Sequence, residues 1–185
     1  MITDTDKAWM AGIYDGEGSV GINRGRKRGG STSGEYVLFP QVQLQMTHVP
    51  TVERVVTLLR GLGCSATAYH WAEKKAHHKD ACGVRVAKTG YVLMMADALL
   101  PYAVTKREQW LLVKEFCELR IERVGLLPSG DLKRGGRQGW WTPYSERELD
   151  IAERICDLNR RGSSARLGSA VVAPRGPVQE PLESK

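Results

Sequence analysis

The 185-residue chain has no apolar run approaching the ~20 residues needed to cross a bilayer. Its opening residues, Met1-Ile2-Thr3-Asp4-Thr5-Asp6, are acidic and lack the basic-then-apolar order of a signal peptide. Neither a membrane protein nor a secreted one is expected. Cys64, Cys82, Cys117 and Cys156 stand far apart, with no C-x-x-C among them. That argues against a zinc ribbon and a disulfide framework, and fits a reducing compartment. The expected location is the cytoplasm of a bacterium or a phage-infected cell, with an organelle as the other compartment this usage allows. His77, His78 and Cys82 would begin a metal site, but a fourth ligand is missing and a solvated hairpin turn accounts for the same residues. There is no internal repeat.

What is present is charge and a sizeable core. Twenty-seven basic residues against 21 acidic give +6 and a pI near 9.3, a balance that favours a polyanionic partner. Composition alone does not separate DNA from RNA or an acidic protein. A hydrophobic share of 42% and a mean hydropathy of -0.34 describe a globular domain.

Periodicity orders the elements. Residues 5–16 read as a short helix, capped by Thr5 or Asp4 and stopped by Gly16 and Gly18. Residues 19–23 alternate as a strand, and 24–34 form a basic Gly/Ser-rich loop. Residues 36–46 give the clearest strand, with Val42, Leu44 and Met46 alternating with Gln41, Gln43 and Gln45. A helix opens at Pro50 and runs to Gly61 or Gly63. A hairpin of 67–71 and 82–87 follows, with a charged tip at 73–80. Residues 89–100 are an apolar helix stopped by Pro101. Thr105 and Glu108 have capping-box spacing and open a long helix that ends near Gly125. The implied class is α+β: an antiparallel sheet packed under helices. Residues 126–139 look like a basic linker, Ser145 and Glu148 open a last helix reaching about 161, and 162–185 read as a disordered tail.

The most informative stretch is Met10-Ala11-Gly12-Ile13-Tyr14-Asp15-Gly16-Glu17-Gly18, followed by a strand. It resembles the motif of the LAGLIDADG homing endonucleases, with Ala11, Gly12, Asp15 and Gly18 matching letter for letter. Leu100-Pro101-Tyr102-Ala103-Val104-Thr105-Lys106-Arg107-Glu108-Gln109 is similar to the family's segment before its last core helix. The element order between them also agrees, so the resemblance covers about residues 5–125, within a core of 1–125 to which 126–161 add a linker and an extra C-terminal helix.

The resemblance implies a saddle-shaped antiparallel sheet and a site-specific double-strand DNA endonuclease. Glu17 matches the metal-binding acidic position and Gly16 the residue offering its carbonyl to the metal. Mg²⁺ is the implied cofactor, with Mn²⁺ substituting, because paired carboxylates let such ions activate water at a phosphodiester. Lys106 matches a lysine near the scissile phosphate, and Asp15 has structural work at the helix end. The family's water-organising glutamine has no fixed counterpart: Gln45 is the first choice, with Thr47 and His48 open. One motif per chain implies a homodimer on a long, roughly palindromic site. Ala8, Ala11 and Gly12 are small enough to let two such helices approach backbone to backbone.

If the alternating apolar residues pack under helices, the opposite sheet face carries Asn23, Gln41, Gln43, Gln45 and Arg85. These side chains can pair in bidentate fashion with purine edges. Arg24, Arg26, Lys27 and Arg28, with Lys74 and Lys75 at the other tip, would contact phosphates. Taking Tyr69 and Trp71 as core leaves His70 outward, though the reverse phase stays open. The rivals are a non-catalytic binder of the same fold, such as an intron maturase or a transcriptional regulator, and a small RNA-binding protein. The latter would need aromatics on the sheet face for stacking. Two readings hold for the last helix, a cap on the core or a DNA-backbone contact, and the basic glycine run before it favours the second.

Overall fold

The computed structural model describes residues 2–26, 36–71, 81–133 and 142–160. Along them run α1 (Asp4–Glu17), β1 (Gly18–Arg26), β2 (Tyr36–Met46), α2 (Val49–Gly61), β3 (Ala68–Trp71), β4 (Ala81–Val86), α3 (Thr89–Leu99), α4 (Arg107–Val124) and α5 (Glu146–Asn159). The fold is α+β, with one antiparallel sheet in the order β1-β2-β4-β3.

Alternation puts one face of this sheet into the core. Val20, Val42, Leu44, Val84 and Val86 are buried in a single cluster with Met10 and Tyr14 of α1, Val52, Val55 and Leu59 of α2, Met95 and Leu99 of α3, and Trp110 and Phe116 of α4. Strand β1 runs through Arg26, beyond the expected residue 23, because β2 continues to pair it there: Arg24 lies opposite Leu38 and Arg26 opposite Tyr36. Pro40, opposite Ile22, lies beyond the last β4 partner pair, Val42 with Val86, so its missing N–H costs that ladder nothing.

Helix α1 is capped by Thr3, not by Thr5 or Asp4. The Thr3 hydroxyl accepts the Asp6 N–H at 3.2 Å, and the Asp6 carboxylate accepts the Thr3 N–H at 3.2 Å, a reciprocal box that outcompetes either alternative. At its other end Gly18 turns the chain straight into β1. A side chain there would stand 2.4 Å from the Tyr14 ring, so the tight helix-to-strand junction has room only for glycine.

Beyond α4 the described residues stay on the body. Residues 126–132 close a turn with a bridge between Leu126 and Leu132, and the Gly130 carbonyl accepts the Gly90 N–H at 3.0 Å. Ser145 and Glu148 form the expected capping box of α5. Ile151, Ala152 and Ile155 are buried, and Glu148, with no exposed surface, lies 3.3 Å from Arg120 and 2.5 Å from Arg123 on α4. The Tyr144 hydroxyl accepts the Leu38 N–H and donates to the Leu38 carbonyl, while Asn159 donates to the Val20 carbonyl at 2.9 Å. Helix α5 thus covers the edge strand β1, whose outer backbone groups would otherwise be open to pairing. Among the described residues, no helix is long and apolar enough to cross a membrane.

Candidate functional site

Glu17 is the last residue of α1 and is exposed, as is Gly16 before it. Ala8, Gly12 and Gly16 follow one another at four-residue spacing on the exposed side of the helix, and a side chain built on Gly12 or Gly16 would meet nothing within 4 Å. Ala11 does not belong to this row. It is fully buried, because its position turns it toward the chain's own core beside Met10 and Tyr14. Val104, 81% exposed, lies at the same end, its N–H donated to Asp15.

Asp15 and Lys106 join α1 to α4. The Asp15 carboxylate accepts the backbone N–H groups of Val104 at 2.7 Å, Thr105 at 3.0 Å and Lys106 at 3.0 Å. Burial by itself raises the Asp15 pKa, but these donors and the Lys106 charge outweigh it and hold the carboxyl below its ordinary value. Lys106 is 7% exposed, and its ammonium donates to the carbonyls of Tyr14 at 2.9 Å and Asp15 at 2.5 Å. The expected Thr105–Glu108 box does not form. Lys106 is the N-cap of α4, Asp15 of α1 accepts its N–H and those of the two residues before it, and Glu108 pairs with Arg154 instead.

At the end of the sheet, Gly18 pairs with Leu44, which sets Gln45 at the Glu17 end of β2. Gln45 is exposed on the face away from the core. Thr47 and His48 follow in the turn before α2, and the His48 ring shares a hydrogen bond of 2.7 Å with Thr51. No three His, Cys, Asp or Glu side chains among the described residues cluster as a metal cage. The Glu17 carboxylate and the Gly16 carbonyl are nevertheless hard oxygen donors of the kind Mg²⁺ and Mn²⁺ take, and one chain brings one such carboxylate to this end of the helix.

The outer face of the sheet is polar through its middle. Gln43 lies opposite Arg85, Gln45 opposite Gly83, and Gln41 donates to Gln43 at 3.0 Å. Asn23 is exposed on the same face, opposite Phe39. The register of β3 is the reverse of the expected phase. His70 pairs with Cys82, which is buried, so His70 belongs to the helix side. Tyr69, paired with Gly83, stands on the outer face beside Gln45 and Arg85. Arg24 is exposed but shares the side of Val20 and Ile22, past the reach of the helices. Phe39 joins this face, as the β2 alternation marks, and Tyr69 reaches it through the reverse phase that the sequence leaves open. A cavity of about 250 Å³ opens where Asn23 and Gln41 face Cys156, Asn159 and Arg160 at the end of α5. The Arg26 side chain and Lys27, Arg28, Lys74 and Lys75 lie outside the described residues.

No protein-family model matches the sequence, and no curated protein sequence matches it either. The likeness is one of structure: the chain has the fold of the LAGLIDADG homing endonucleases. Among the solved structures it resembles is the homing endonuclease I-CvuI in complex with its target in the presence of calcium. There the identity is 16% over 89% of this chain and 88% of that one, with a TM-score of 0.56. The archaeal intron-encoded homing endonuclease I-Vdi141I, complexed with DNA, is 15% identical over 86% of this chain and 87% of that one, with a TM-score of 0.58. The LAGLIDADG homing endonuclease I-GzeII, in complex with its DNA target, is 14% identical over 89% of this chain but 47% of that one, with a TM-score of 0.52.

Proposed function

We propose that this chain is a metal-dependent, site-specific double-strand DNA endonuclease that acts as a homodimer on a long, roughly palindromic site. The observation that carries this reading is Glu17, an exposed carboxylate at the end of a helix whose outer row is Ala8, Gly12 and Gly16. Two copies meeting along that row bring two Glu17 side chains to one place. The lengths support the pairing, since this chain spans 88% of I-CvuI but 47% of I-GzeII.

Glu17 and the Gly16 carbonyl would hold Mg²⁺ or Mn²⁺. Bound there, such an ion supplies an activated water and stabilises the departing oxyanion of the phosphodiester. Gln45, at the same end of the sheet, is the first candidate to orient that water. Gln41, Gln43, Asn23, Arg85 and Tyr69 face the duplex as a reading surface. A net charge of +6 supplies the attraction to phosphate.

Duplexes cut by the wild-type protein, recovered from a randomised library in Mg²⁺ or Mn²⁺, provide the substrate for the test. Glu17→Gln keeps the shape and removes the charge, so it should bind the recovered duplex as the wild type does in Ca²⁺ and cut it no faster than background. Cutting by the wild type in full chelation, or by Glu17→Gln, refutes the metal role. Binding without cutting in either metal makes the protein a non-catalytic binder of the same fold.

A further inference from the structure

A helix leaves its first N–H groups and its last carbonyls without partners, and these carry partial positive and negative charge. At the junction of α1 and α4 the last turn of α1 and the turn that leads into α4 hold each other. The Lys106 ammonium, from the start of α4, sits on the Tyr14 and Asp15 carbonyls in the last turn of α1. The Asp15 carboxylate, from that same turn, takes the N–H groups of Val104, Thr105 and Lys106. The Lys106 charge therefore lies at the negative pole of α1, and the Asp15 carboxylate ties the N-cap of α4 and the two residues before it to that same turn, so the two segments are locked reciprocally. Glu17 is the last residue of the helix so held, two residues beyond Asp15.

We propose that Asp15 and Lys106 are positioning residues: they fix the end of α1 so that Glu17 meets the scissile phosphodiester in register with its mate, and Lys106 does not act on the phosphate itself. This rests on the endonuclease reading above. A lysine with 7% exposure that donates to two carbonyls would have to give up both to reach DNA. The alternative assignment, a lysine at the phosphate, makes no demand on Asp15. The clamp does.

The test uses Asp15→Asn, Asp15→Glu, Lys106→Met and the double variant Asp15→Asn/Lys106→Met, with the duplex the wild type cuts. Misplacing a reacting group by about 1 Å costs ~100-fold in rate. Each single variant should therefore cut ~100-fold more slowly at saturating protein, with affinity in Ca²⁺ unchanged. The double variant should be no slower than the worse single, because both remove one unit. Hydrogen exchange at the amides of residues 16–18 should speed up in every variant. Asp15→Glu keeps the charge and shifts it by one methylene, so it decides the matter if Asp15→Asn fails to fold. A slow Lys106→Met beside an Asp15→Glu that cuts at the wild-type rate overturns the proposal and returns Lys106 to the phosphate. If the wild type cuts no duplex at all, the endonuclease reading falls on its own. Unchanged exchange at residues 16–18 in Asp15→Glu would then overturn the clamp as well.

Discussion

Glu148 has no exposed surface, yet Arg120, Arg123 and the Ser145 hydroxyl and N–H converge on its carboxylate. Burial pushes its pKa up, but the Ser145 hydrogen bonds and the Arg120 charge more than offset this and hold it below the ordinary glutamate range. A lowered folded pKa means that the stabilisation is complete above the unfolded value of ~4.3 and is lost as pH falls through the folded value. Urea unfolding across acid pH should show a steeper loss below pH ~4.3 in the wild type than in Glu148→Gln. At neutral pH, breaking this buried cluster should cost ~3–5 kcal/mol. The outer face gives a second expectation. Tyr69→Ala should relax base preference at one position of the recovered site, whereas His70→Ala should leave the preference unchanged; the opposite pattern would restore the other register of β3. Glu17, Gly16 and the glutamine row were legible in the sequence because a local motif and a local alternation carry them. The seat of Lys106 was not, since its partner Asp15 lies 91 residues away and no spacing rule reaches that far.

Among the elements, β2 was readable to the residue, because Gln41, Gln43 and Gln45 alternate with Val42, Leu44 and Met46. β3 was not: four residues, Ala68–Trp71, hold too few alternations to fix a phase, and pairing with β4 decides it. α5 was legible as a helix through its capping box, but its place was not. Before it the sequence shows glycines and charge, which favoured a DNA-backbone contact. The structure instead places Ile151 and Ile155 in the core and Asn159 on the edge of β1. Two such side chains contribute ~1.5–3 kcal/mol each against a total domain stability of ~5–15 kcal/mol. Truncation after Val124, which also strips Arg120 of its buried partner, should therefore abolish the cooperative thermal transition seen by circular dichroism. A truncated chain that melts as the full protein does would return α5 to the role of an appendage. On α1, Gly12→Leu fills the open row without touching the chain's own core, so the monomer fold should survive while self-association is lost in sedimentation.

For the molecule as a whole, the proposed function asks each chain for one half-site. The exposed row on α1 ends in the Glu17 carboxylate, the polar outer face spans one sheet, and the basic surplus of +6 would double in the proposed dimer. Binding should weaken with salt along a slope of ~0.9 per phosphate neutralised, with the two copies contributing equally. The other carboxylate in the last turn of α1, that of Asp15, is taken up by the backbone N–H groups of Val104, Thr105 and Lys106. The most direct measurement is the number of chains on the duplex in the complex that cuts, taken by sedimentation in Ca²⁺ and followed by cleavage on adding Mg²⁺. Two chains per duplex and a cut in both strands are the expected result. One chain bound to a duplex that is nonetheless cut in both strands would contradict it.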